Sequence, residues 1–329
     1  AILASSAAYA GNEALTQLQF AVGDDIEITQ NTTHANPSLG NDANVYMTST
    51  YKNDTVILQE GNENLAEVDA EYAMRSDFDI TQMGNENKAY INAEGAYNYR
   101  NDLDIYQSGN RNTSTVSVDD GDYNDADISV EGNNNTTFAT FSGEGADDNH
   151  IKTRIVNGDS NTVKSTVDNG EDNDVHVTVR NGDSNSVTTL QEGDDSNAYV
   201  RISGSDSNVV DVTQDDDNLA EVEVYWGSDG NGVTIVQNDG NTAEVTIGWG
   251  GDVNTVDISQ ERNNRAYVDL GNSSDYNLIS VEQVANSSYV DVELDFSDNN
   301  MISVWQNSND AAVVTGWASH GNSVTIVQN

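Results

Sequence analysis

The chain of 329 residues has no cysteine, a single proline, and only 12 Lys and Arg residues. Without cysteine there is neither a disulfide framework nor thiol chemistry. Against 56 acidic residues the few basic ones leave a formal net charge of −44. Such a charge disfavours nucleic acid and anionic membrane surfaces, whose phosphates attract basic faces. No run approaches the ~18 apolar residues of a membrane-spanning helix, so no membrane insertion is expected. The four histidines, His34, His150, His176 and His320, are scattered among turns and outward strand positions. None keeps the spacing of a zinc ligand or of a base beside a nucleophile. There is no P-loop and no G-x-S-x-G, and Arg and Lys are too few for a polysaccharide lyase. No enzymatic activity and no cofactor are expected.

What remains is a vocabulary of Val, Ile, Thr, Asn, Asp and Gly, the residues of strands and tight bends. Disordered acidic chains are instead rich in Pro, Glu and Lys and poor in β-branched residues. The arrangement is periodic. Gln191, Gln214, Gln237, Gln260, Gln283, Gln306 and Gln328 follow one another at intervals of 23 residues, the last at 22. Six residues before each stands an asparagine: Asn185, Asn208, Asn231, Asn254, Asn277, Asn300 and Asn322. The same spacing recurs earlier as Asn53 with Gln59, Asn101 with Gln107, and Ser76 with Gln82. A fixed period of this length marks a repeat protein.

A separation of six is even, so in an extended strand Asn and Gln lie on one face. The residues between them on that face are aliphatic, as in Val233 and Ile235, Val256 and Ile258, or Leu103 and Ile105. The other face carries Asp77 and Asp79 or Asp102 and Asp104. A second strand fills the other half of each period, as in Asn87-Ala89-Ile91 and Asn241-Ala243-Val245. Turn clusters such as NGDSN at 157–161 and SGSDSN at 203–208 separate the strands. The expected fold is all-β: a flattened two-sheet solenoid of about 13 coils of ~23 residues, 26 strands over 26–327, standing ~60 Å tall at ~4.8 Å per layer. Its buried amides would be costly unless paired, and a column of identical amides pairs each with the next.

The array has irregular parts. Residues 31–52, with Pro37, read as a bulging loop, and 11–25 as an N-terminal segment ahead of the solenoid at 26–329. Residues 1–10 are small and apolar, and Ala8-Tyr9-Ala10 fits the end of a signal peptide. Over 125–179 the Gln is missing, and Gln107 and Gln191 are 84 residues apart. That span holds an odd number of strands, so the Gln ladder should change sheet across it.

These features resemble the curlin family, whose motif is S-x5-Q-x-G-x2-N-x-A-x3-Q. Ser76, Gln82, Gly84, Asn87 and Ala89 match it position by position. Asn53, Gln59, Gly61, Asn64 and Ala66 match with Asn for Ser. Asn101, Gln107, Gly109 and Asn112 do the same, with Ser114 at the Ala position. Departures are Ala70 and Ala93 at the final Gln position, a shorter turn between Gln214 and Asn218, and the length and acidity of the array. The resemblance implies a secreted bacterial subunit that polymerises into extracellular curli-like fibres for biofilm and adhesion. It implies a nucleator subunit and an outer-membrane secretion channel as partners.

The strand at 323–327 is a full-strength repeat, with Val324, Ile326 and Gln328 inward and no charge or Pro among them. It is the expected polymerisation edge, since an unblocked edge drives self-association. Two other readings compete. The chain could be a nucleator or minor subunit of the same fibre. Alternatively it is a monomeric secreted adhesin with weak Ca²⁺ sites in the acidic turns at 119–125, 144–149 and 191–197, which offer the hard oxygens calcium prefers.

Overall fold

A computed structural model describes residues 2–6, 11–20, 22–32, 39–48, 50, 53–71, 77–94, 101–118, 124–142, 148–168, 170–296, 298–318 and 320–329. Pro37, His34, Ser76 and most of the acidic turns at 119–125 and 144–149 lie outside the described residues. The chain folds as two units, Ala1–Asp172 and Asn173–Asn329. Each is a flattened β-solenoid whose strands alternate between two parallel sheets, until after β24 (Leu278–Gln283) the last two strands both join the same sheet.

In the first unit the odd strands are β1 (Ile2–Ser6), β3 (Asp25–Asn31), β5 (Asp54–Asn62), β7 (Asp77–Asn85), β9 (Asp102–Asn110), β11 (Asp125–Glu131) and β13 (His150–Val156). The even strands are β2 (Glu13–Gln19), β4 (Asp42–Thr48), β6 (Leu65–Ala70), β8 (Lys88–Asn92), β10 (Thr113–Ser117), β12 (Thr136–Ser142) and β14 (Thr162–Asp168). Odd strands pair only with odd and even with even, always parallel and in register: Ile57 beside Ile80, Ile80 beside Ile105, Val68 beside Ile91. Parallel neighbours need a long crossover. Here the strand of the opposite sheet is that crossover.

The second unit repeats the plan with β15 (Asp174–Arg180), β17 (Asn197–Tyr199), β19 (Leu219–Glu221), β21 (Thr242–Glu244) and β23 (Arg265–Ala266) on one side. The other side holds β16 (Ser186–Gln191), β18 (Val209–Gln214), β20 (Gly232–Gln237), β22 (Thr255–Gln260), β24 (Leu278–Gln283), β25 (Met301–Gln306) and β26 (Ser323–Gln328). The odd strands shorten and then shrink to the single bridges of Tyr289 with Arg265 and Ala311. Their inward side chains persist nonetheless, with Val290, Val292 and Leu294 buried where no strand is left.

The core is the alternation carried inward. Ile26, Ile28, Ile57, Phe78, Ile80, Leu103 and Ile105 are buried from the odd strands of the first unit, and Ala66, Val68, Ala89 and Ile91 from the even. Each large aliphatic so enclosed contributes roughly 1.5–3 kcal/mol. Two readings of the sequence need correction. Residues 42–48 belong to β4, whose Ala43, Val45 and Met47 are buried, so the expected loop over 31–52 is shorter than 22 residues. Its alternation was masked by Asn44 and Tyr46 on the outward face and by the longer turn before it. The solenoid also begins before Ile26: β2 pairs with β4 and β1 with β3. The side chains of β2 are mostly exposed, so its sequence lacks the aliphatic signature of the later turns.

The corners are built by a second column. Gly61, Gly84, Gly109 and Gly132 have φ between +116° and +134°, and a Cβ on Gly84 would stand 1.9 Å from the carbonyl oxygen of Gly109. Layers at this corner therefore meet backbone to backbone, which only glycine permits. Gly84→Ala should lower stability by about 2 kcal/mol or more, read as the urea midpoint by circular dichroism. Gly232→Ala, where nothing lies within 4 Å, should stay within about 0.5 kcal/mol of the parent. Equal midpoints for the two variants would refute the close-contact argument.

Candidate functional site: buried amide ladders and an exposed strand edge

In the first unit Gln30, Gln59, Gln82 and Gln107 lie on consecutive odd strands and are buried. Each Nε2 donates to the Oε1 of the glutamine one turn on, at 2.8 Å, 2.8 Å and 2.9 Å. Its other hydrogen crosses to the even sheet: Gln59 donates to the Asp42 carbonyl at 2.9 Å, Gln82 to Leu65 at 3.0 Å and Gln107 to Lys88 at 2.9 Å. One side chain thus ties a layer both to the next layer and to the facing sheet. Gln30 was not anticipated, because Asp24 rather than Asn stands six residues before it. The Asp24 carboxylate accepts from Thr50 Oγ1 and from the Asn53 backbone N–H, each at 2.7 Å.

The ladder stops where the next turn has no amide. Gln107 has Val130 beside it, which accepts nothing, and its Nε2 donates to Ser114 Oγ at 2.8 Å. Ser114 at the small-residue position is therefore the terminator of the ladder. In the second unit Gln191, Gln214, Gln237, Gln260, Gln283, Gln306 and Gln328 form an unbroken ladder, the donor always pointing to the later turn, over 2.7–3.2 Å. These glutamines are on the sheet of the even strands, which β25 joins, whereas those of the first unit are on the odd sheet, the change of side expected from the spacing of Gln107 and Gln191.

Asparagine forms a second ladder, pointing the other way. Asn208, Asn231, Asn254, Asn277, Asn300 and Asn322 each donate Nδ2 to the Oδ1 of the preceding turn, starting at Asn185, over 2.9–3.1 Å. The backbone N–H of the same residue donates to the same oxygen, as from Asn231 to Asn208 at 2.9 Å. In the first unit the equivalent column is Asn41, Asn64, Asn87, Asn112, Asn135 and Asn161, ahead of the even strands. Asn64, Asn87 and Asn112 were legible as motif positions but not as a ladder, and Asn41, Asn135 and Asn161 were missed. Their intervals of 23 to 26 residues were the available signal. Asn53 and Asn101 are both buried ahead of odd strands, but the amide of Asn101 has no hydrogen-bond partner among the described residues. The equivalent position between them is Ser76.

Strand β26 pairs with β25 on one side, Val324 beside Ile302 and Ile326 beside Val304. Val324, Ile326 and Gln328 are half-buried, the part-covered version of side chains that are buried in β25. The interior beside them opens into a cavity of about 130 Å³ lined by Ile302, Val314, Asn322 and Val324 among others.

Residues 100–129 match the curlin associated repeat family. The chain carries a curlin-type repeat. No curated protein matches the chain. The matched segment covers one full turn, and the geometry explains what a curlin repeat needs at each position. Gln107 and Asn112 are rungs of the two ladders, Gly109 is the close corner, and Ser114 is the small residue beneath the glutamine amide.

The outward faces of the curlin-type turns stack acids as the inward faces stack amides. On the odd sheet Asp54, Asp77, Asp102 and Asp125 are neighbours in register, and Asp104 lies beside Asp127. Burial, then the charges of Asp102, Asp79, Asp127 and Asp77, push the Asp104 carboxyl up to about 6. Burial and neighbouring aspartates raise Asp77, Asp79 and Asp102 as well. The file ends on basic residues: His150 Nδ1 is 3.3 Å from Asp125, and the Lys152 ammonium contacts Asp127. His320 pairs likewise with Asp298 at 3.3 Å, and His176 meets Tyr199 edge-on, its ring centroid 5.1 Å away. Among the described residues no group of three or more His, Cys, Asp or Glu is arranged to hold a metal ion.

Two predictions follow from the site. Gln260→Ala removes the acceptor of Gln237 and the donor to Gln283, and the buried amides left unpaired should cost about 1–3 kcal/mol in addition to the cavity. Urea unfolding should show this loss, with the outward Ser259→Ala near neutral; similar midpoints would contradict the ladder's role. The raised aspartates bind protons more tightly folded than unfolded. Their contribution is therefore complete below the unfolded pKa of about 3.9 and is lost as pH rises through about 6 for Asp104. Thermal midpoints should rise as pH falls from 7 to about 4.5. Asp104→Asn should raise the midpoint at neutral pH and flatten that slope.

Proposed function

We propose that the chain is a structural subunit of an extracellular, curli-like amyloid fibre of bacterial biofilm and adhesion, polymerising head to tail. The observation that carries this reading is the pair of buried ladders with fixed and opposite directions. Glutamine amides donate toward later turns and asparagine amides toward earlier ones. A stack with a direction continues only onto a copy facing the same way, and repeated head-to-tail contact does not close, so it makes filaments. Parallel in-register strands with amide ladders are also the internal order of cross-β fibres. The curlin-type repeat supports the same conclusion, and with it export through an outer-membrane channel and a nucleating partner. The inward residues of β26, Val324, Ile326 and Gln328, are the proposed docking edge, because among the described residues β26 pairs on one side only and such an edge recruits another strand.

The test is electron microscopy and fibre diffraction of the purified 329-residue chain. Unbranched fibres with a ~4.8 Å reflection are expected. Val324→Lys, Ile326→Lys and Thr325→Pro should each keep the circular dichroism of the parent while slowing growth about tenfold or more, since a charge or a missing N–H at an edge blocks pairing. A chain that stays monomeric at high concentration, even when seeded, would overturn the reading.

A further inference from the structure

One corner of the second unit carries side chains that the fold does not explain. Trp226 is 48 % exposed, Trp249 63 %, Phe296 50 % and Tyr276 61 %. Aromatics this exposed add little to a core. Backbone conformation makes the placement more costly still. Val253 and Tyr276 both have φ of 57°, at a column position that Ser207 and Gly230 occupy in earlier turns. For a β-branched residue this left-handed conformation is an outlier, and strain of roughly 1–3 kcal/mol persists only where something overrides it.

These positions are stacked. Gly250 N–H donates to the Trp226 carbonyl at 3.1 Å and Ser273 N–H to that of Trp249 at 2.8 Å, so the aromatic positions lie in successive layers. Val253 N–H donates to Asp229 at 2.9 Å and Tyr276 N–H to Asp252 at 3.0 Å. Between the two columns in each turn stands one aspartate: Asp229, Asp252 and Asp275. The Oδ1 of each accepts the backbone N–H of the aspartate one turn before, at 2.7 Å, 2.8 Å and 2.8 Å. That bond orients the carboxylate and leaves its second oxygen without a hydrogen-bond donor among the described residues. Trp226 is fixed as well, since it lies so close over Gly204 that a Cβ there would be 2.7 Å from Cε3 of the ring.

We propose that this corner binds an unbranched polysaccharide of amino sugars bearing free ammonium groups. The apolar faces of the sugar rings lie on Trp226 and Trp249, and the ammonium groups meet Asp229, Asp252 and Asp275. Aromatic faces attract both sugar C–H surfaces and cations. A polyanion is repelled by a chain of net charge −44. A neutral sugar hydrogen-bonds such carboxylates through its hydroxyls but leaves their stacked negative charges uncompensated, whereas an ammonium makes the stronger charge-assisted bond and neutralises them. Three successive layers ~4.8 Å apart each hold an aromatic and an acid, Trp226 with Asp229, Trp249 with Asp252, and Tyr276 beside Asp275, whereas an extended basic peptide presents side chains on one face only every ~6.7 Å. A polymer with a ring and a charge in every residue matches that repeat better.

Titration of freshly dissolved chain with a glucosamine hexasaccharide at mildly acidic pH tests this, by calorimetry and tryptophan fluorescence. The N-acetylated hexasaccharide and pentalysine are the comparison probes. The glucosamine oligomer should bind about tenfold or more tightly than its acetylated form. Trp226→Ala combined with Trp249→Ala should weaken it about tenfold while changing pentalysine binding less than about twofold. Asp252→Asn should weaken it too. Trp226 and Trp249 are exposed, and asparagine keeps the Oδ1 acceptor of the half-buried Asp252, so the dichroism spectrum and thermal midpoint should stay those of the parent. Equal affinity for the acetylated oligomer would overturn the pairing of ammonium with carboxylate and with it the proposal; an undiminished affinity in the tryptophan variant would overturn it too and leave only the attraction of an acidic chain for any cation. The measurement uses unpolymerised chain, so it stands whether or not the fibre reading does.

Discussion

The structure depends on one constraint above others: a buried carboxamide is costly unless hydrogen-bonded, and along the ladders its partner is the same residue one turn away. An amide enclosed without a partner costs more than most single contacts return. Stacking identical glutamines and asparagines at the strand spacing satisfies each with the next. The requirement then acts backward on the chain. A strand with a residue too many or too few beside a rung would leave two amides unpaired at once, so register and strand direction are held together, whereas the turns absorb intervals of 29, 23 and 25 residues with the ladder intact. The interior aliphatics add the bulk of the driving force, but they would tolerate a slip along the strand that the amides would not.

Repetition acts on every group, favourable or not. The column that pairs amides inside also aligns aspartates outside, and there the effect is repulsive. Asp104 is the extreme, with acidic neighbours both in its own strand and in the adjoining layers. The few cations are placed where they interrupt such columns. Lys152 meets Asp127, Arg111 meets Glu86 at 2.9 Å, and Arg201 meets Glu223 at 3.2 Å, each one turn away. Exposed pairs of this kind contribute little individually. Their consistent placement against the next layer shows that surface charge follows the same layer-to-layer logic as the core. The ladders end by local chemistry too: Gln107 meets Val130 and turns to Ser114.

Much of this was legible because strands of period two and turns of period 23 leave separate marks in a linear text. The inward aliphatics, the two-sheet solenoid and the change of side between Gln107 and Gln191 could all be read from spacing. What could not be read lay where those marks weaken. Strand β2 has exposed side chains and so no alternation to detect. Strand β4 follows a long turn that breaks the count. Gln30 was hidden because Asp24 replaces asparagine, although its carboxylate still accepts two hydrogen bonds in that place. The asparagine column of the first unit was hidden by uneven intervals, and the isolation of Asn101 by an apparently good motif.

By itself, the sequence determined the period, the face on which each residue lies and the identity of the rungs, because an extended chain turns its side chains over at every residue whatever surrounds it. Tertiary structure alone decided the direction of the ladders. Glutamine donates forward and asparagine backward because each amide's remaining hydrogen bonds, from Gln59 to the Asp42 carbonyl and from the Asn231 N–H to Asn208, fix which way its oxygen points. It likewise decided that the exposed aromatics of the second unit share one corner with a file of oriented carboxylates, since only the stacking of turns brings residues 23 apart into adjacent layers.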